Sequence, residues 1–339
     1  MARRGWIGVL RCLVSTLTEW LAYAGLRVAL LPFQLSSIRF ARRLGALLGL
    51  LIYWVAPVRK QVVVQNIGWF FPDWEPARRQ RLVRDAYKNL GIAIADFAVG
   101  CRFRPENVDT FIALEGGEHY AAAHAHGGQV ILFGAHQAMW EWAQCVRHWC
   151  GGDAVYCIGK RIHNRFIDEY VKRKRSLFGV EMISHRGAIA SLTALGENEP
   201  TANYAFFVDQ RGSKGHGVWI EVAGRPVSAM PGAAIMALRG KIPLIPSQFI
   251  RTDSGMTLRF HAPIFFAATG DDEADIQRLT QLTSDHVTRW IREAPESYFW
   301  LHDRFNVHSA ERNAADAFGW TIAATPPALA PTAALCSAP

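Results

Sequence analysis

The sequence predicts an α/β fold, a mixed β-sheet flanked by helices, preceded by an N-terminal membrane-anchor helix. Three observations point to it. Short apolar runs of strand length alternate with segments of helical period through the middle of the chain. A basic, apolar arm leads the chain. Half of the 339 residues are hydrophobic and 19% are charged, richer in apolar groups than an average soluble domain yet short of a multi-span membrane protein.

In chain order, Asn66–Asp73 reads as a loop whose Pro72 and Asp73 prepare a helix start. Residues 75–100 form a long helix with Leu82, Val83, Ala86, Tyr87 and Leu90 on one face. The uninterrupted apolar run Gln129–Gly134 is a buried strand, and Met139–Cys150 a helix. Strand and helix then alternate: strand Ala154–Ile158, helix His163–Phe178, strand Val180–Ser184, helix Ala188–Gly196, strand Tyr204–Val208. A hairpin follows at Val218–Val227, a helix at Pro231–Arg239 with proline in its first turn, and a second hairpin of Ile242–Arg251 with Met256–Phe265. Asp271–Glu293 is a long amphipathic helix.

The net charge of +8 lies at the N-terminus. Residues 1–60 hold nine basic groups against the single acid Glu19, so the rest of the chain is balanced. The basic groups are interleaved with Leu, Trp and Val, which suits a membrane surface and argues against nucleic acid as a partner. Residues 1–60 are therefore assigned as anchor and interfacial helices, with one anchor, spanning or lying in the interface, within residues 13–38. Two ordinary buried helices fit the same residues. A secretory signal is disfavoured, because Arg11 interrupts the first apolar run and no small-residue cleavage site follows the second. Residues 61–309 are the α/β domain. Residues 310–339, rich in Ala and Pro, cannot bury much and form a disordered tail.

The chemistry is expected at His136-Gln-Ala-Met-Trp-Glu141. A buried strand ends at Gly134, so His136 sits on the turn at the carboxyl edge of the sheet, where α/β sites form. A carboxylate on one ring nitrogen would leave the other free to take a proton from a hydroxyl. Glu141, reaching back from the early turns of the next helix, is the expected partner. On spacing alone, a core histidine and a surface glutamate fit the pattern better than a dyad does.

Other constellations carry less. His119, His124 and His126 cluster without a completing Cys or carboxylate set, so no metal is expected. The six cysteines show no metal spacing and read as reduced thiols. There is no G-x-S-x-G and no G-K-[S/T] after the glycine-rich loop 211–217, so neither a nucleophile-elbow hydrolase nor a nucleotide cofactor is expected. Lys160–Arg186 holds eight basic groups against Asp168, Glu169 and Glu181. That surface suits a phosphorylated lipid or an acidic carrier protein, and equally a solvated helix face. Asp209-Gln210 ends a strand and enters the glycine-rich loop, a place for an active-site acid or for a turn-forming aspartate.

Six blocks, in order, resemble the late lauroyl and myristoyl acyltransferases of lipid A biosynthesis within the lysophospholipid acyltransferase superfamily. They are Gln65-Asn-Ile with Phe71-Pro72, the strand with His136–Trp142, Arg175-Ser-Leu-Phe-Gly179, Val208-Asp-Gln210, the stretch from Gly224-Arg-Pro-Val to Gly240-Lys-Ile-Pro243, and Pro295–Phe305. The resemblance covers roughly residues 20–308. It implies a glycerolipid acyltransferase-like fold and acyl transfer from acyl carrier protein or coenzyme A to a hydroxyl of a lipid A precursor at the cytoplasmic face of the inner membrane. It also implies His136 as base with Glu141 as partner, and Arg175, Asp209 and Gln210 as substrate-binding positions. Two departures stand out. Gln137-Ala138-Met139 replaces the usual Phe-Gly-Asn, and Asp303 stands where a basic residue is common. Another lipid acceptor remains open, as does a non-catalytic membrane protein if His136 and Glu141 lie apart.

Overall fold

The computed structural model describes residues 2–212 and 216–305, with side chains from residue 13 onward. The expected tail at 310–339 and part of the glycine-rich loop lie outside these residues.

Four helices come first: α1 (Ala2–Gln34), α2 (Ile38–Val55), α3 (Lys60–Phe70) and α4 (Pro76–Val99). Strand β1 (Ile112–Glu115), helix α5 (Gly117–His124) and strand β2 (Gln129–Gly134) follow. A 3₁₀ segment at Trp140–Trp149 leads to β3 (Ala154–Gly159), α6 (Arg165–Arg175), β4 (Val180–Ser184), α7 (Ala188–Asn198) and β5 (Ala202–Phe207). The hairpin β6 (Val218–Val222) and β7 (Arg225–Ala229), then α8 (Gly232–Gly240), β8 (Leu244–Arg251), β9 (Met256–Phe260) and α9 (Asp272–Glu293), complete the described chain.

The seven-stranded sheet has the order β1-β9-β8-β2-β5-β3-β4, with only β8 and β9 antiparallel. This bears out the mixed α/β expectation. β2 and β5 lie in the middle of the sheet, which explains the unbroken apolar run of β2: both faces are covered. The period of two divides that run. Ile131 and Phe133 enter the core under α8 and α9, while Val130 and Leu132 enter the core under α4 and the 3₁₀ segment.

Caps set several helix starts. Asn164 Oδ1 accepts the N–H groups of Phe166 and Ile167 at α6, and Asp271 accepts that of Ala274 at α9. The expected loop 66–73 is a correction. Asn66–Phe70 continues α3, because the Asn66 amide donates to the carbonyls of Trp300 (2.8 Å) and His302 (2.6 Å) from inside the core.

The segment expected as an anchor falls mostly in α1, and α2 crosses α4 at very close range. A Cβ at Gly49 would lie 2.0 Å from the Tyr87 carbonyl oxygen, and one at Gly91 1.9 Å from that of Gly45. Arg42 of α2 is buried on Asp96 of α4, with Nε 2.6 Å from Oδ1. The outer faces stay apolar: Leu17, Trp20, Leu21, Val28 and Leu31 on α1, and Phe40, Leu47, Leu51 and Trp54 on α2, are exposed. Among the described residues no single helix is long and apolar enough to cross a membrane. α2 and α3 pass together by length and composition but are bent by 104°.

Candidate functional site

The parallel register builds the site. Gly134 of β2 pairs with Phe207 of β5. Two residues beyond each, His136 and Asp209 leave the sheet at the same height. His136 Nδ1 lies 2.8 Å from Asp209 Oδ1, and the His136 backbone N–H donates to Oδ2 at 3.1 Å. The Asp209 side chain is 2% exposed and that of His136 17%. The opposite ring nitrogen, Nε2, meets the Gln210 amide at 3.2 Å. Trp140, Phe207 and Phe299 surround the ring.

Burial alone would raise the Asp209 carboxyl. The His136 imidazole and its hydrogen bond, the Arg304 guanidinium and the His136 backbone N–H outweigh it and hold the group well below the usual carboxylate range. An ionised carboxylate only accepts, so His136 carries its proton on Nδ1 and offers a lone pair at Nε2. Burial, helped by His136, Arg304 and Arg211 and opposed by Asp209, pulls His302 down to about 4. Neutral His302 accepts the Arg211 backbone N–H at 2.9 Å. Burial, with Asp209 nearby, raises the Tyr298 hydroxyl.

The expected contact of Glu141 with His136 is a correction. Arg175 holds Glu141 in a two-pronged pair, Nη2–Oε1 2.7 Å and Nε–Oε2 3.0 Å. His136 lies before any helix, and its Nδ1 is taken by Asp209. Residues 140–149 wind as 3₁₀ rather than as the expected α-helix. In that winding, residues three apart eclipse. Glu141 and Gln144 share the lining of a cavity of about 280 Å³, while Trp142 and Cys145 are buried in the core. His136, Arg175 and Gln210 line the same cavity, and Val155, Val180, Met182, Ala205 and Phe207 give it an apolar wall. A larger cavity of about 810 Å³ includes Gln137 but not His136, so size does not mark the chemistry.

The turn itself is clamped from the far end of the chain. Ala138 N–H donates to the Ser297 carbonyl at 2.8 Å, and Phe299 N–H to that of His136 at 2.9 Å. The Gln137 amide donates to Trp290, Ala294 and Ser297. Ala138 has φ of 51°, in the left-handed region that favours glycine. This is the position where the resembled pattern carries glycine.

Site reasoning from sequence missed Arg304, Tyr298, His302 and Trp140 as neighbours of the His136–Asp209 pair. The only signal was their membership of the quoted blocks. The basic run 160–186 is largely neutralised internally. Arg161 and Lys172 pair with Asp168, Arg165 with Glu19, Arg173 with Glu169, and Arg175 with Glu141. Among the described residues no group of three metal-ligating side chains occurs. His124 instead pairs with Asp153 at 2.7 Å.

The chain is 23% identical over 292 residues to the lipid A biosynthesis palmitoleoyltransferase of Escherichia coli (strain K12), covering 85% of this chain and 92% of the relative. The lipid A biosynthesis acyltransferase of Shigella flexneri matches to the same extent. The family model for bacterial lipid A biosynthesis acyltransferases matches residues 10–307, which include the strand-end histidine and every side chain assembled around it. The chain belongs to that family and is an acyltransferase.

Proposed function

We propose that this enzyme transfers a fatty acyl chain from a thioester of acyl carrier protein, or of coenzyme A, to a hydroxyl of a lipid A precursor, with His136 as general base. One observation carries the reading: His136 Nδ1 is held by a buried carboxylate, while its ring lines a cavity with both polar and apolar walls.

Asp209 keeps the proton on Nδ1 and stabilises the imidazolium that forms when Nε2 takes the acceptor proton. The alkoxide attacks the thioester carbonyl, and the tetrahedral intermediate expels the thiolate, which recovers the proton from Nε2. The acyl chain occupies the cavity against Val155, Val180, Met182 and Phe207. Gln210 is exposed and yields Nε2 to the incoming hydroxyl. Its amide then lies within reach of the developing oxyanion. Glu141 does not touch the base. It holds the Arg175 fork on the cavity wall, where a cation serves an oxyanion or a substrate phosphate. Glu141 pairs with Arg175 and not with His136, the arrangement expected of a non-catalytic membrane protein; the carboxylate of Asp209 beside His136 and the family match support the catalytic reading instead.

The exposed apolar faces of α1 and α2 rest on the bilayer, and the α/β domain of residues 61–309 sits on the cytoplasmic face of the inner membrane, where acyl thioesters are made. The relatives' lipid A names support the acceptor class. Transfer of labelled acyl chain to a lipid A precursor by His136→Ala, beside lipid A mass spectrometry of a complemented deletion strain, tests the assignment. Transfer falls by about 10²- to 10⁴-fold if the base is correct, and wild-type turnover in the variant refutes it. Unchanged lipid A together with an altered glycolipid or lysophospholipid would move the acceptor but keep the chemistry.

A further inference from the structure

Adjacent residues of α6 serve different cavities. Arg175 lines the cavity beside His136, whereas Lys174 lines a separate cleft of about 370 Å³ between α1, α6 and the turn after α4. Lys174 is 7% exposed, and its buried Nζ has no carboxylate or carbonyl partner, only the weakly polar Cys101 side chain beside it. It lies 5.8 Å from the Phe97 ring and 5.6 Å from that of Tyr170. Burying an ammonium without a carboxylate or carbonyl partner is costly, and that burial lowers the group's pKa, with the neighbouring Cys101 opposing the shift.

The surroundings supply more positive charge and no free acid. Arg27 donates to the Tyr23 hydroxyl at 2.9 Å, lies over the Tyr170 ring at 4.9 Å, and has a buried Nε without a partner. Arg104 is exposed at the rim. The one acid in the lining, Glu169, is paired with Arg173 at 2.8 Å. Trp20, Tyr23, Arg27 and Leu31 follow one helical stripe of α1. The exposed apolar residues Trp20 and Leu31 therefore lie on the same side of α1 as the cleft, with Leu21 and Val28 farther round the helix.

We propose that this cleft binds the phosphate of an anionic lipid headgroup, which supplies the missing anionic partner of Lys174 and Arg27 while the lipid tails follow the apolar face of α1. The inference rests on the membrane-facing reading of α1, and the test separates the two.

Full-length protein is floated with vesicles of phosphatidylcholine alone, or of phosphatidylcholine with phosphatidylglycerol, and Lys174 labelling by an amine-reactive reagent is read by mass spectrometry. Anionic vesicles bind more protein and protect Lys174, whereas neutral vesicles bind through the apolar face without protecting it. Lys174→Gln and Arg27→Gln each lose about fivefold of the anionic increment, and Arg186→Gln, an exposed charge outside the cleft, retains it. Neutral vesicles doped with a phosphorylated lipid A precursor test the acceptor as the source of the phosphate, and protection there alone assigns the cleft to substrate. Equal labelling of Lys174 in neutral and anionic vesicles overturns the cleft proposal and leaves the membrane reading intact. Absence of binding to every vesicle overturns both. Protection by inorganic phosphate in solution, with no effect of lipid, replaces the headgroup by free phosphate. Because labelling is read on the unaltered protein, a variant that fails to fold does not remove the test.

Discussion

Asp96 and Asp209 are both nearly inaccessible carboxylates, and what surrounds them differs in kind. Asp96 faces two arginines, Arg42 at 2.6 Å and Arg251 at 3.5 Å. Those guanidinium groups are tied in turn: Arg42 to the carbonyls of Thr252 and Gly255, and Arg251 to Asn89 and the Ala138 carbonyl. Burial raises the Asp96 carboxyl against the pull of both arginines, and its partners cannot act as bases, because arginine does not give up its proton. Asp209 faces an imidazole whose far nitrogen meets only an exposed glutamine amide. The first arrangement ties α2, α4 and the β8–β9 turn together. The second leaves one titratable atom beside a cavity. Burial of a carboxylate alone therefore says little about chemistry, and the nature of its partner decides.

Substitution separates the two. Asp209→Asn keeps the shape but lets the ring adopt the wrong tautomer, so acyl transfer falls by about 10²- to 10⁴-fold. Thermal stability of that variant also falls, since a carboxyl held below its usual range contributes stability at neutral pH, but activity falls far more steeply. Equal losses of activity and stability would show that Asp209 is merely another Asp96. Asp96→Ala leaves two buried guanidinium groups without a counter-charge. It lowers stability by about 3–5 kcal/mol, measured by denaturant unfolding. Transfer measured on the remaining folded fraction is expected near wild type, and a specific catalytic defect would break the contrast. The smallest effect links the two regions, since the carbonyl of Ala138, two residues after His136, accepts from Arg251. Ala138→Gly relieves the left-handed backbone. It raises stability by about 1 kcal/mol without changing transfer by more than a few-fold. A lowered melting temperature would show that the left-handed turn carries no strain.

Much of the site was legible because its cues are local. An apolar run of six residues ending in Gly134 identifies a buried strand, and the residues just past a strand end are where such sheets place chemistry. His136, Arg175, Asp209 and Gln210 were all named from such cues and resemblance, and all line or adjoin one another. The pairing was not legible. Glu141 is five residues from His136 and Asp209 seventy-three, and proximity along the chain favoured the wrong acid. Asn66 shows the same limit: a loop-like composition became helix because its amide finds two carbonyls more than two hundred residues away.

The sequence by itself determined the alternation of strands and helices, the apolar basic arm and the histidine at a strand end. Each depends on the side-chain period of a single segment. Tertiary structure alone decided that β5 lies next to β2 in a register matching Gly134 to Phe207, and so that Asp209 rather than Glu141 holds the ring. It also turned Lys174 and Arg175, neighbours in the chain, toward different cavities. Strand order and helix facing arise from contacts between segments far apart in the chain, and no single segment contains them.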